Sequence, residues 1–326
     1  MRLSIIIPFY NVEKYIAECL DSVYNQDIPE DEYEVICVND ASPDNSRDIV
    51  LEYQKKHSNL ILVEHEVNKK LGAARNTGRK IARGKYIWNV DSDDMIVPNC
   101  LGEILETCET NDLDVLIFEK YYFLDGEPWR YKESSWSDTE VVFTGYEFFN
   151  QMADHLKEIS QVWTQVYSRK YLDENSIYSP EINMGEDVPY TFKSILCAHK
   201  MMARHRPYYV YRNNSFSLTG QLRCVPSGRA VYEHCFVCGK YLDNLVDSIP
   251  ADLPGIITSL RATERYIVLL YELFVGTMLP AEVNELRKRC RINLFSNLFI
   301  FKVLNKKQIL RYLFFIIFGL HKDTRL

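Results

Sequence analysis

No apolar stretch of this chain reaches the roughly 20 residues that a membrane-spanning helix needs. Residues 309–320 come nearest near the C-terminal end and are interrupted by Arg311 and Tyr312. A cysteine framework is also missing. Nine cysteines, an odd number, are scattered along the chain, and Cys37 and Cys197 lie in apolar runs. That usage reads as reduced, intracellular thiol and excludes a small disulfide-stapled fold. The one C-x-x-C, Cys235 to Cys238, has no second pair and does not read as a zinc or redox site. Positive charge is short: 38 Lys and Arg stand against 45 Asp and Glu, a net −7. A general nucleic-acid binder is therefore excluded. The loop after the first apolar run, PFYNVEKY, contains no glycine, so nothing there would cradle a triphosphate. There is no internal repeat and no low-complexity linker. The N-terminal MRLSIIIPFYN has no cleavage-like site and reads as a first strand, not a signal peptide.

What the chain does have is a globular composition, 47% hydrophobic and 25% charged over 326 residues, and a regular alternation. Residues 3–8, 33–38, 60–65, 85–90 and 113–119 are short apolar runs with strand character. Residues 13–24, 47–57, 71–83 and a segment from Pro98 to Thr110 carry apolar residues at helical spacing. Asn11 is placed to cap the first of these helices. This β-α-β order predicts a mostly parallel sheet with crossover helices. Polar residues gather just after the strands: Tyr10 and Asn11, Asp40, then Asp91 to Asp94. A single cleft along the carboxyl edge of the sheet would collect them. Gly72 and Gly78 weaken the third helix and imply a close approach of its backbone to something.

Beyond residue 119 the pattern changes. An aromatic stretch over 121–137 surrounds Asp125-Gly126, as in a hairpin or aromatic loop. Helices are expected over 145–156 and 185–199, and a strand over 201–212. After Pro226 only helices are expected, so the chain divides into an α/β domain, 1–225, and a helical extension, 226–326.

The densest chemistry lies in KYIWNVDSDD, Lys85 to Asp94. An apolar strand buried on both faces runs into three carboxylates. Alternation along Asp91-Ser92-Asp93 would turn the two outer carboxylates the same way. Like charges that close repel unless a cation or a turn separates them. A metal site and an Asp-rich turn capping the next helix both satisfy that condition.

Taken in order, SIIIPFYNVEKYIAECLDSVYNQ, VICVNDASPDNS, NKKLGAARNTGRKIARGKYIWNVDSDD and MGEDVPY resemble the family 2 glycosyltransferases, which have the GT-A fold. The resemblance covers roughly residues 3–220. It implies an α/β, Rossmann-like nucleotide-binding sheet flanked by helices. By this resemblance Pro8, Tyr10 and Asn11 pack under the nucleotide base. Asp40 accepts a hydrogen bond from the uracil ring, although the family's Asp-Asp-Gly-Ser is Asn39-Asp40-Ala41-Ser42 here. Arg75 and Asn76 lie beside the nucleotide, where a guanidinium can pair with phosphate or stack on a base. Asp91 and Ser92 complete the donor-sugar set. Asp93, with Asp91, would hold Mg²⁺ or Mn²⁺, while Asp94 caps the next helix. Asp187 is the implied catalytic base, with Glu186 beside it to orient the acceptor or share the role. Gln165 stands where the family's W-N-K-L-Y segment has lysine. Arg212 and Ser217-Leu218-Thr219 resemble a loop that closes over the diphosphate.

The implied activity is inverting, hexosyltransferase-type transfer from a nucleotide-diphosphate sugar, a UDP-sugar foremost. The acceptor would be a hydroxyl of a glycan or lipid-linked glycan, in polysaccharide biosynthesis. A sugar nucleotidyltransferase is disfavoured by the glycine-free loop. A non-catalytic nucleotide-sugar-binding or scaffold protein is disfavoured by Asp40, Asp91, Asp93 and Asp187 occurring together. Residues 285–326 hold ten Lys and Arg against Glu285 and Asp323, a local +8. With their Phe, Leu and Ile they fit a peripheral anchor on the cytoplasmic face of a membrane, or a helix packed on the body or in an oligomer interface.

Overall fold

The structure, a computed structural model, describes residues 1–132, 141–151, 159–181 and 185–213. The domain boundary at 225, the helical extension with its basic end, the Cys235–Cys238 pair and Ser217-Leu218-Thr219 lie outside these residues.

The elements follow in chain order: β1 (Leu3–Phe9), α1 (Ile16–Tyr24), β2 (Tyr33–Asn39), α2 (Ser46–Gln54), β3 (Leu60–Glu64), α3 (Leu71–Ile81), β4 (Tyr86–Asn89), β5 (Met95–Ile96) and α4 (Leu101–Thr110). Then come β6 (Val115–Phe123), β7 (Arg130–Tyr131), α5 (Gly145–Gln151), a short 3₁₀ turn (Val162–Thr164), β8 (Gln165–Ser168), α6 (Arg169–Glu174), α7 (Asp187–Leu196) and β9 (Met201–Arg212). They build one sheet in the order β3-β2-β1-β4-β8-β6-β9-β5, with β7 added to β6.

β1 and β2 are buried along their whole length, as expected for apolar runs without polar alternation. β3, β2, β1 and β4 pair in parallel. The chain leaves β1 to one side for β2 and β3, and α3 then carries it across to β4 on the other side. The strand order reverses there, which opens a crevice at the carboxyl ends of β1 and its neighbours. Pro8 fits inside β1, one residue before its end, because pairing with β4 stops at Ile6 and Asn89. Its missing N–H points to the side where no strand continues.

The far half of the sheet departs from the parallel expectation. β8 inserts antiparallel between β4 and β6, whereas β6 and β9 run parallel. The aromatic stretch does form a hairpin, with Tyr121 opposite Tyr131 and Tyr122 opposite Arg130. Buried aromatics fill the core, and two of the largest have bonded polar atoms. The Trp88 indole donates to the Trp163 carbonyl at 2.8 Å, and the Tyr86 hydroxyl to the Cys108 carbonyl at 2.8 Å.

One local expectation is corrected and another, the close approach at the α3 glycines, is met. Asn11 does not cap α1, which starts at Ile16 without a side-chain cap. Asn11 instead sits at φ 57°, a conformation asparagine tolerates, and its N–H donates to Ser42 Oγ at 2.7 Å. The glycines of α3 face the protein itself. A Cβ on Gly78 would lie 2.5 Å from Ile6 Cγ2, and one on Gly72 would lie 2.1 Å from the Pro180 carbonyl oxygen. No helix among the described residues is long and apolar enough to cross a membrane.

Candidate active site

The acidic stretch after β4 is a turn, closed by the Asp94 N–H donating to the Asp91 carbonyl at 3.1 Å. Strand-like alternation of Asp91, Ser92 and Asp93 therefore does not hold, because β4 ends at Asn89. Ser92 is buried and Asp93 is half-buried. Asp94 does not cap α4. Its carboxylate accepts from the Tyr209 hydroxyl at 2.8 Å and from the Arg212 N–H at 2.7 Å, both on β9. Burial, and then the charges of Asp93 and Asp91, push the Asp94 carboxyl well above its ordinary range. The β9 donors hold it in place. Arg212 also donates from Nε to the Asp93 carbonyl at 3.0 Å and pairs with Glu18 and Asp125. It thus braces the acidic turn from behind.

The centre of the site is Arg75. Its side chain is 2% exposed, and its two terminal nitrogens reach three carboxylates. Nη2 donates to Asp91 Oδ1 at 2.8 Å, and Nη1 donates to Glu186 Oε1 at 2.8 Å and to Asp187 Oδ1 at 2.5 Å. Burial alone would oppose the guanidinium charge, but Asp187, Asp91 and Glu186 more than restore it. A planar fork suits this multiple pairing where a lysine could not. Glu186 precedes α7 and Asp187 opens it, yet Glu186 makes no side-chain cap. Both carboxylates turn to Arg75, so helix capping is not what places them. The turn after β4 and the start of α7 thus meet on α3.

Asp40 lies at the end of β2 and accepts from the Lys69 and Lys70 N–H groups at 2.8 and 2.9 Å. His65 adds a contact that sequence reasoning missed: Nδ1 is 2.7 Å from Asp40 Oδ1, and Nε2 is 2.9 Å from Thr77 Oγ1. No local motif marks that histidine; only the fold brings β2, β3 and α3 together there. Tyr10 and Asn11 are exposed beyond the end of β1. Asn76 is buried, with its amide bonded to the Ser179 backbone. Gln165 is wholly buried. It donates to the Ile159 and Gln161 carbonyls at 3.0 and 3.3 Å and accepts from the Tyr167 hydroxyl at 3.1 Å. Its polar atoms serve the interior.

No group of three or more His, Cys, Asp or Glu forms a ready-made metal cage among the described residues. The two carboxylates expected from the sequence as metal ligands, Asp91 and Asp93, lie in one turn. Magnesium, and manganese like it, suits such a partial oxygen set, completed by substrate phosphates and water. The residues therefore fit a cation that arrives with a diphosphate.

Asp187 is tuned near neutrality. Burial raises its pKa, Arg75 opposes and Glu186 adds to the rise, leaving about 7. With Asp187 as the base that the sequence implies, which must be deprotonated to act, kcat/KM is expected to increase with pH through about 7. Stability moves the other way. The folded state holds this proton more tightly than an unfolded aspartate, whose pKa is about 3.9. The contribution is complete below about 4 and is lost as pH rises through about 7. Rates and chemical denaturation measured from pH 5 to 9 check both signs.

Residues 4–176 match the family model for Glycosyl transferase family 2. Over 243 residues the chain is 34% identical to the "Uncharacterized glycosyltransferase EpsJ" of Bacillus subtilis (strain 168), covering 71% of this chain and 66% of that protein. Over 229 residues it is 34% identical to the poly(ribitol-phosphate) beta-glucosyltransferase of Bacillus spizizenii, covering 66% of this chain but 33% of that protein. The similarity therefore spans just under two thirds of the first relative and one third of the second. Among solved structures, S. aureus TarS 1-349 in complex with UDP-GlcNAc aligns with a TM-score of 0.61 at 24% identity, covering 86% of this chain and 84% of that one. At that identity the likeness speaks for the fold.

Proposed function

The chain belongs to glycosyl transferase family 2, and on that premise we propose that it moves a sugar from a nucleotide-diphosphate sugar to an acceptor hydroxyl with inversion. The observation that carries this reading is the convergence of Asp91, Glu186 and Asp187 on buried Arg75. It sets a carboxylate tuned near neutrality beside the acidic turn, at the crevice where the strand order reverses. Asp187 takes the proton from the acceptor hydroxyl as its oxygen attacks the anomeric carbon in line with the departing diphosphate. Arg75 fixes the direction of that carboxylate, and Glu186 orients the acceptor. Asp93 and Asp91 would hold the divalent cation, Mg²⁺ or Mn²⁺, which when bound would supply charge neutralisation on the leaving nucleotide diphosphate.

The relative named for poly(ribitol-phosphate) supports a polyol-phosphate polymer as acceptor. TarS of S. aureus, 32% identical to this chain over 215 residues and solved with UDP-GlcNAc, supports a uridine donor. The +8 end of the chain supports an acceptor presented at an anionic membrane surface. The test is thermal unfolding against UDP, GDP, ADP and dTDP, each with and without Mn²⁺. A ligand present at 100 times its Kd stabilises the native state by about 2.7 kcal/mol, a shift of several degrees. Metal-dependent stabilisation by one nucleotide is the expected result. If no nucleotide diphosphate shifts the transition, the transferase reading fails.

A further inference from the structure

Gly72, Arg75, Asn76 and Arg79 share one face of α3, at the i, i+3, i+4 and i+7 spacing that stacks residues along a helix. All four meet residues 173–180 or the start of α7 at 186–187. Arg79 donates from Nη2 to Asp173 Oδ1 at 2.6 Å, and its guanidinium carbon lies 4.3 Å from the centre of the Tyr178 ring. Asn76 donates from Nδ2 to the Ser179 carbonyl at 2.9 Å, and its Oδ1 accepts from the Ser179 N–H at 2.9 Å. Gly72 leaves room for the Pro180 carbonyl, which would lie 2.1 Å from a Cβ there. Arg75 then takes Glu186 and Asp187.

The Asn76–Ser179 pair is the informative one. Ser179 belongs to no helix or strand, yet its backbone is buried and needs partners for both polar groups. A single side-chain amide supplies both, as a neighbouring strand would. Asn76 has committed an N–H and its oxygen to this pair, and at 8% exposure it faces the protein interior.

We propose that Asn76 is a positioning residue for Asp187: it docks the Tyr178–Pro180 segment on α3, so that the start of α7 is delivered to Arg75, and it does not contact the nucleotide. This rests on the reading of Asp187 as the base. Asn76 holds Tyr178–Pro180 on α3 ahead of α7, and Arg75 holds the first turn of α7. Loosening the first hold lets Asp187 swing about the second.

The test uses the full chain with Asn76→Ala and, independently, Gly72→Ala, which would push on the same segment at Pro180. Three quantities are read: UDP affinity with Mn²⁺ by calorimetry, kcat and KM for release of nucleotide diphosphate from a UDP-sugar, and amide hydrogen exchange of the peptide containing Ser179. In Asn76→Ala, kcat should fall about 10- to 100-fold, the cost of a displacement near 1 Å. UDP affinity and donor KM should stay within about twofold, because uniform binding is untouched. Exchange at the Ser179 peptide should quicken about tenfold as its local protection is lost. Gly72→Ala should reproduce the fall in kcat. UDP affinity falling in step with kcat would make Asn76 a nucleotide contact and overturn the proposal. Unchanged kcat alongside faster Ser179 exchange would overturn it too, by separating the segment from the chemistry. A wild-type chain that binds no nucleotide diphosphate would remove the reading of the site and this inference with it. Unimpaired Asn76→Ala beside an active wild type removes the inference alone.

Discussion

Replacing Asp187 by asparagine is expected to lower turnover by about 10²- to 10⁴-fold, the usual worth of a positioned base, while UDP affinity stays near that of the wild type. The expectation follows from what asparagine keeps. Its Oδ1 can still accept from Arg75 Nη1, now at 2.5 Å from Asp187 Oδ1, so the start of α7 stays on α3. Only the capacity to take a proton is lost. The residual rate should also lose the rise through about 7 that burial of this carboxyl imposes. Initial rates across that range, with calorimetric titration of UDP and Mn²⁺, make the measurement. Full activity in the variant would take Asp187 out of the base role.

Arg75→Met should produce the largest loss of stability at the site. The guanidinium is buried and serves Asp91, Glu186 and Asp187 together. Removing one member of a buried ion pair costs roughly 3–5 kcal/mol, because the remaining charge is left uncompensated. Tm should drop by on the order of 10 °C. The sign of the pH dependence is distinctive. Without the arginine, the carboxylates hold protons more tightly still, so protonation relieves their repulsion. The deficit relative to wild type should therefore be smaller at pH 5 than at pH 8, as read by urea denaturation at both values. An equal deficit at the two would show that the carboxylates are not what Arg75 compensates.

The alternation up to residue 119 was legible because each strand there is an apolar run buried on both faces, and each helix has its own spacing. The positions of Asp40, Asp91 and Asp187 were legible for the same reason: a carboxylate after a strand or at a helix start is visible locally. Their partners were not. Arg75 lies 112 residues from Asp187 and Asn76 lies 103 from Ser179, and nothing in either neighbourhood announces the other. Arg75 reads as a phosphate ligand and Asn76 as a nucleotide contact, and neither reading foretells the bonds of Arg75 to Asp91, Glu186 and Asp187 or of Asn76 to Ser179. Gly72 and Gly78 did signal a close approach, but to Pro180 and Ile6. β8 escaped notice because its four residues begin with a buried glutamine, whose bonds to the Ile159 and Gln161 carbonyls replace the apolar cue.

The antiparallel insertion of β8 has a consequence for the order of assembly. β4 and β6 end up on either side of it, yet both are synthesised long before residues 165–168. Between the synthesis of β4 and that of β8, the β3-β2-β1-β4 half therefore presents β4 as an open edge, and β6 has no place beside it. Closing such a gap late carries the loop-closure cost that slows folds dominated by distant contacts. α7 follows β8 in the chain, so Arg75 remains without Glu186 and Asp187 until that gap has closed. The crevice at the carboxyl ends of β1 and its neighbours can form early, but the cluster of carboxylates around Arg75 is completed only as the sheet closes.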